Sequence, residues 1–406
     1  MKKILIVAQF TQLPGESGNN RGRFKFISEM LSHNGYDVTV ITSKFRELDR
    51  TFRKKEKAFD EAPYKIVLLD EAGYSKNISF RRIYSMRTFA KNLKRYLDEY
   101  GQNFDLIYSC VPGLDSALVA GRYANRNFIP FIIDVQDVWP EVMYDLVLDI
   151  PVVSNVLFYP FQRMANEVYS LADGIIAVSK TYLNIAMRKN TKNALNDYIY
   201  IGTDIDVFDR KVNEVNTSID IEKSGNEFWI SYIGSLGHSY DICTFLEAAN
   251  KVRGQGIIVQ PIIIGSGPLE TKFKNYASTI DSNAIFTGWV DYGTMGCYLK
   301  KSDAVINAIK GKAASITNKI GDYLSSGKPM LNGSLNEEFR KLVEEYKFGM
   351  NYEPQNADSL AEAIIRMVRL QNEERELLGR NARKLAEEKF DRKKTYLSIL
   401  KMVDSL

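Results

Sequence analysis

Short runs of β-branched and aliphatic residues alternate with longer amphipathic stretches along the chain, and this alternation constrains the fold more than any single motif. Parallel strands need long crossovers, so such a pattern predicts βαβ units around a parallel sheet. In the first half the expected strands are Ile4–Val7, Asp37–Ile41, Lys65–Leu69, Leu106–Tyr108, Phe131–Val135, Gly174–Val178 and Ile199–Ile201. A polar stretch at 211–226 interrupts the pattern, which restarts with Phe228–Ile233, Val259–Ile264, Asn283–Phe286, Ala304–Ile306, Pro329–Leu331 and Gly349–Tyr352. The expected fold class is therefore α/β, two Rossmann-like doubly wound parallel sheets in tandem.

The length agrees, because 406 residues exceed what one hydrophobic core normally holds. The expected domains are 1–208, 209–385 and a C-terminal helix, 386–406, that packs back on the first domain. With 45% apolar and 26% charged residues, no segment is too polar to fold. Cys110, Cys243 and Cys297 lie far apart and have no ligand-spaced partner, which predicts a reducing, cytoplasmic setting without structural zinc. The opening MKKILIVAQF has too short an apolar run for an export signal and reads as the first buried strand. The longest apolar candidate for a membrane span, Val142–Phe161, is interrupted by Asp145, Asp149, Pro151 and Pro160.

Charge is uneven. Residues 1–100 carry 20 Lys and Arg against 12 Asp and Glu. From Phe80 to Tyr100, Met86, Phe89, Leu93, Tyr96, Leu97 and Tyr100 recur at helical spacing, leaving Arg87, Lys91, Lys94 and Arg95 on the opposite side with Tyr84. That side fits either a solvated face or a patch for an anionic membrane, on the inner face of the plasma membrane. The cluster Arg50, Arg53, Lys54, Lys55 and Lys57 favours the membrane. Nothing in the chain points to nucleic acid as a partner.

In an open parallel sheet, ligands bind beyond the carboxyl ends of the strands. In the second half these positions are small and suited to phosphate: Gly234-Ser235-Leu236-Gly237, Gly265-Ser266-Gly267-Pro268-Leu269 and Thr287-Gly288-Trp289-Val290. A third glycine and an acidic strand end are missing, which disfavours a dinucleotide dehydrogenase. Ser315-Ile316-Thr317-Asn318 is a capping-type start to the helix that begins at Lys319, whose free N–H groups would face a diphosphate. Lys319 is unfavourable for a first helical turn, so an anionic ligand explains it better. Asp322 follows at a spacing suited to ribose hydroxyls or to compensating the helix dipole.

The ordered set ISYIGSLGHSYDICTFLEAA from Ile230, IIIGSGPLETKFK from Ile262, FTGWVDYGTMGCYLKKSDAVI from Phe286 and TNKIGDYLSSGKPML from Thr317 resembles the donor domain of GT-B glycosyltransferases, in particular retaining family four, glycosyl transferases group 1. In the first half, Gly15, Gly18 and Asn19 after strand one, ADGIIAVSK from Ala172 and IGTDIDVF from Ile201 agree with it.

The resemblance implies two domains across a cleft and a nucleotide-diphosphate sugar donor, UDP favoured, with no cofactor and no metal. The base would lie on Gly288-Trp289-Val290, beside Gly267-Pro268-Leu269. Gly234, Ser235, Gly237, Gly18 and Asn19 would surround the diphosphate and sugar. Lys319 would act as the catalytic cation. Relatives commonly place Arg at Ser235 and Lys near Tyr240-Asp241, and their paired glutamates map to Ala314 and Asp322.

The segment DVQDVWPE, Asp134–Glu141, resembles a branch that builds bacterial lipid-linked surface polysaccharides, so the implied acceptor is a lipid-linked glycan. Asp137 would orient or deprotonate the acceptor hydroxyl, or else cap a turn. The pair Asp204 and Asp206 looks like a metal-binding DxD but belongs to the hinge segment. Two other readings stay open. A nucleotide-sugar epimerase would have only His33 and His238 for imidazole chemistry, and a scaffold would bind the nucleotide-sugar without turnover.

Overall fold

In the computed structural model the described residues are all except 17–21, 55–56, 77–78, 140–150, 216–222 and 311–315, with the side chains of 57–58 and 151–157 also outside them. The chain divides into two compact units, Met1–Ile199 with Tyr396–Leu406, and Tyr200–Thr395.

The first unit carries strands β1 (Lys3–Val7), β2 (Asp37–Ser43), β3 (Lys65–Leu69), β4 (Leu106–Val111), β5 (Phe131–Val135), β6 (Gly174–Ala177) and β7 (Leu195–Tyr198). They form one parallel sheet in the order β3-β2-β1-β4-β5-β6-β7. The order reverses at β1, which puts a topological switch between β1 and β4. Helices α1 (Arg23–His33) and α2 (Phe80–Tyr100) flank the sheet. The last strand differs from expectation: Ile199–Ile201 is not a strand, and Leu195–Tyr198 pairs with β6 instead. An edge strand with Asn196 and Asp197 needs no apolar run, while buried Ile199 and Tyr200 lie just beyond the strand, Ile199 N still donating to Ala177 O at 2.7 Å. A short antiparallel pair, Phe45–Arg46 with Thr51–Phe52, was not anticipated.

The C-terminal segment belongs to this first unit. Tyr396, Ile399, Met402 and Val403 are buried among Ile4, Ile132 and Ile176. Tyr396, Ile399 and Val403 recur at i, i+3 and i+7, the spacing of one helical stripe, with Tyr396 as the N-cap of the helix Leu397–Ser405 that carries the other two.

The second unit repeats the plan with β8 (Phe228–Ile233), β9 (Val259–Ile264), β10 (Ile285–Gly288), β11 (Ala304–Asn307), β12 (Met330–Asn332) and β13 (Gly349–Asn351), ordered β10-β9-β8-β11-β12-β13. All neighbours are parallel. β8 and β9 are buried at every position, which is why they read as largely apolar runs, broken only by Ser231 and Gln260. Helices α3 (Tyr292–Lys301) and α4 (Lys319–Ser325) follow β10 and β11. Among the described residues no helix is long and apolar enough to cross a membrane; within Val142–Phe161, residues 142–150 and the side chains of 151–157 lie outside them.

Candidate functional site

The glycine turns of the second unit meet beyond the carboxyl ends of β8, β9 and β10. Gly234 and Gly265 have φ of 132° and 128°, which side chains on L-residues rarely adopt. The amide of Gly234 donates to Ile264 O at 2.9 Å, and that of Gly265 to Gly288 O at 2.9 Å. A side chain on Gly265 would overlap the carbonyl of Gly234, and one on Gly267 would lie 2.6 Å from Leu236 O. These glycines therefore let three turns stack backbone on backbone. Gly237 has open space around it, with only its neighbour's Ser235 Oγ within 4 Å.

Gly234 makes room for Lys319. A methyl group at Gly234 would overlap Cε and Nζ of that lysine. Nζ donates to the Tyr232 hydroxyl at 2.9 Å and lies 3.4 Å from the centroid of the Tyr240 ring and 4.7 Å from that of Tyr232. Tyr232 in turn donates to Ser235 O at 3.0 Å. Burial pushes the Lys319 ammonium down to about 7, while the two aromatic faces act in the opposite sense by attracting the cation.

A bound diphosphate raises the ammonium pKa, so the complex is cationic where the free protein is neutral. Binding therefore takes up a proton above pH 7, and affinity falls as pH rises. Calorimetry with UDP at pH 8, in buffers of different ionisation enthalpy, is expected to show uptake of about one proton that Lys319→Met removes. Binding without proton uptake in the unaltered protein would contradict this coupling.

Only part of the capping start expected before α4 falls within the described residues. Asn318 is in the helical region and its side chain makes no cap hydrogen bond, while Ser315 lies outside the described residues. The helix has seven residues, too short for a strong macrodipole, so side chains dominate here. Thr317 Oγ1 is buried with no partner among the described residues. A buried hydroxyl in that condition needs a ligand or water to complete it. Asp322 Oδ1 accepts from Tyr292 Oη at 2.8 Å and from Thr203 Oγ1 at 3.0 Å.

Trp289 is 72% exposed beside half-buried Val290. Pro268 is exposed and Leu269 half-buried, its amide donating to Leu236 O at 2.9 Å. The second unit thus gathers Gly234, Ser235, Gly265, Gly267 and Lys319 around one set of turns. Tyr232 and Thr203 were not anticipated: their roles come from contacts across strands and loops that leave no local pattern. Tyr240 carries a sequence signal only as part of Tyr240-Asp241, near which relatives place a lysine.

In the first unit, Asp137 lies two residues beyond β5, half-buried. Its Oδ1 accepts from the Val138 amide at 3.0 Å and from Tyr182 Oη at 3.4 Å. Burial lifts its carboxyl above the ordinary range against both hydrogen bonds. Gly18 and Asn19 lie outside the described residues, as does Ala314. Asp204 caps the helix Ile205–Glu214 by accepting from Val207 N at 3.0 Å, and Asp206 pairs with Lys393. Among the described residues no three His, Cys, Asp or Glu side chains cluster as metal ligands.

Comparison with known proteins gives two family matches: glycosyl transferases group 1 over residues 227–369, and glycosyltransferase family 4 over residues 25–207. No curated protein matches in sequence. Among solved structures, HepE of Anabaena, in complex with UDP, has a TM-score of 0.71 at 14% identity and 100% coverage of both chains. Sucrose-phosphate synthase of Thermosynechococcus elongatus has a TM-score of 0.70 at 16% identity, covering 100% of this chain and 99% of its own. WaaG, a glycosyltransferase involved in lipopolysaccharide biosynthesis, has a TM-score of 0.63 at 13% identity with 98% of each chain covered. At these identities the likeness establishes the fold.

Proposed function

The chain belongs to the glycosyl transferases of group 1 and has the GT-B fold, and from this premise we propose that it is a retaining enzyme that transfers a sugar from UDP to a lipid-linked glycan in surface polysaccharide assembly. The observation that carries the donor assignment is the Lys319 ammonium, lodged against Gly234 beyond β8, with the Thr317 hydroxyl, unpartnered among the described residues, two residues away. A buried cation with no carboxylate in hydrogen-bond contact among the described residues is costly unless an anion completes it. That HepE was solved with UDP and with UDP-glucose supports a nucleoside diphosphate as that anion. The WaaG likeness supports a glycan acceptor of the bacterial surface.

In the proposed reaction the bond from the anomeric carbon to the β-phosphate oxygen breaks. A bond to the acceptor oxygen forms on the same face, and the acceptor's proton passes to the leaving phosphate oxygen. Lys319 and Thr317 stabilise charge as it develops on that phosphate. Asn318, exposed next to both, lies at the same edge. The backbone of Gly288, Trp289 and Val290 receives the base, with Pro268 and Leu269 beside the nucleoside; Ser235 and Gly237 adjoin the phosphates. Asp137 orients the acceptor hydroxyl.

Calorimetric titration with UDP, GDP and their sugars, followed by UDP release with lipid extracts, tests the function. Binding without any product would make the protein a scaffold. A converted nucleotide-sugar without acceptor would make it an epimerase.

The acceptor assignment extends to a membrane surface. On α2, Phe80 is 91% and Tyr84 65% exposed, on the side that carries exposed Arg87, Lys91, Lys94 and Arg95. Aromatic rings above basic residues suit the headgroup region of anionic lipid. Replacing the four basic residues by Gln is expected to weaken binding to phosphatidylglycerol vesicles about a thousandfold at low salt, each charge contributing about 1 kcal/mol. Equal co-sedimentation of the variant and the unaltered protein would refute it.

A further inference from the structure

We infer that Asp322 is a positioning residue, which fastens helix α4 to the start of α3 and to the segment where the chain enters the second unit, itself zipped to the segment where the chain leaves it. The inference rests on the donor-site assignment above and extends it. Thr203 and Tyr292 both donate to the same oxygen of Asp322, at 3.0 and 2.8 Å, and their own hydroxyl oxygens lie 3.3 Å apart. Hydrogen bonds to a carboxylate are the stronger kind, so this triangle holds three elements together. Tyr292 opens α3, three residues after Trp289 of the base turn; Thr203 lies in the entering segment; Asp322 shares the first turn of α4 with Lys319.

The entering segment is itself zipped to the leaving one. Thr203 N donates to Phe390 O at 2.8 Å, Arg392 N to Thr203 O at 3.0 Å, and Arg392 Nε to Ile201 O at 2.8 Å. The Tyr200 and Phe390 rings stack 4.5 Å apart at 6°. Gly202 has φ of 59°, and a side chain there would overlap the Phe390 carbonyl. Helix α4 lies on this pair without a spacer: a Cβ on Gly321 would stand 2.9 Å from Gly202 C and 3.0 Å from Thr203 N. Two glycines therefore bring the phosphate-side helix into contact with the connecting segments, and the adjacent Asp322 fixes its register on them. Ribose recognition, the role its spacing suggested, would need Asp322 to serve a ligand with the oxygen that already accepts two hydroxyls or with its other one.

An anion that draws on Lys319 acts on the first turn of α4, and that turn can shift only with Thr203. Nucleotide binding is thus expected to reduce local opening at 200–204 and 389–393.

Hydrogen exchange with and without UDP, and in parallel GDP, tests this. In the unaltered protein UDP is expected to slow exchange in both segments. Thr203→Val and Tyr292→Phe should lose that protection and lower kcat about tenfold, the weight of one hydrogen bond to a charged group. Their UDP affinity should stay within about threefold, since a group acting through position affects turnover more than binding. Thr203→Ser, which keeps the hydroxyl, should restore both readouts.

Two outcomes would overturn the inference while leaving the donor assignment standing. One is UDP binding with unchanged exchange in the connecting segments; the other is full protection and turnover in Thr203→Val and Tyr292→Phe. Should neither UDP nor GDP bind the unaltered protein, the donor assignment itself falls, and the inference with it.

Discussion

Lys319→Ala lowers turnover by about a hundredfold or more, the scale of losing one charge partner of a transition state. The expectation follows from how the ammonium is held. Tyr232 accepts one of its hydrogens, the Tyr240 ring covers it at 3.4 Å, and Gly234 leaves no space in which it could move aside. A cation so confined is pre-organised and costs no reorganisation when negative charge develops on the leaving phosphate. Lys319→Arg should not rescue turnover, because a planar guanidinium is wider than the space bounded by Gly234 and Tyr240. The folded protein should tolerate Lys319→Ala, since the change removes a partly desolvated charge rather than a packed apolar group. The experiment is single-turnover kinetics with the preferred donor, beside a thermal melt to show intact folding. Near-normal turnover would remove Lys319 from the mechanism.

Asp134→Ala lowers the melting temperature of the first unit by about 10 °C, from a loss of about 3–5 kcal/mol when one partner of a buried ion pair is removed. Asp134 is fully buried at the end of β5, accepts from Arg23 Nε at 3.1 and 2.9 Å, and accepts from Tyr108 Oη at 2.6 Å. Arg23 opens α1 and is itself 5% exposed; its NH1 donates to Ile199 O at 3.1 Å and to Tyr396 Oη at 2.9 Å. The guanidinium also lies 4.8 Å from the Tyr396 ring centroid. One side chain thus holds α1, β5, the residue at which the chain leaves the first unit and the residue at which it returns. Without Asp134 the guanidinium stays buried without its counter-charge. The double replacement Arg23→Met with Asp134→Leu should cost less than Asp134→Ala alone, because exchanging both charges for apolar groups avoids the stranded ion. Hydrogen exchange in β4 and β5 under urea reads the stability of this unit by itself. A loss no larger for Asp134→Ala than for the double variant would show that the pair does not hold the unit together.

Much of the fold was legible because fully buried parallel strands are largely apolar runs. Phe131–Val135, Phe228–Ile233 and Val259–Ile264 are such strands with the expected bounds, the half-buried edge strand Lys65–Leu69 has its expected bounds too, and α2 spans Phe80–Tyr100 as its apolar stripe requires. The signal failed at Leu195–Tyr198, an edge strand whose first two residues are exposed and which carries no apolar run. In the candidate site the glycines and Lys319 stood out because each conflicts with local propensity: glycine weakens a strand end, and a cation opposes the dipole of a first helical turn. What those glycines do was not legible: Gly265 accommodates the Gly234 carbonyl and Gly321 the backbone of Gly202 and Thr203, contacts between residues far apart in sequence.

The sequence by itself determined that two parallel-sheet units would form and that phosphate-suited turns would follow the strands of the second. Strand periodicity, turn glycines and helix stripes are local properties, set by neighbours within a few residues. Only the tertiary structure decided that Lys319 would sit between Tyr232 and Tyr240, that Arg23 would pair with Asp134, and that Asp322 would bind Thr203 and Tyr292. Those partners are drawn from separate elements, and the energy of desolvating a charge or a hydroxyl depends on which of them the completed packing places beside it.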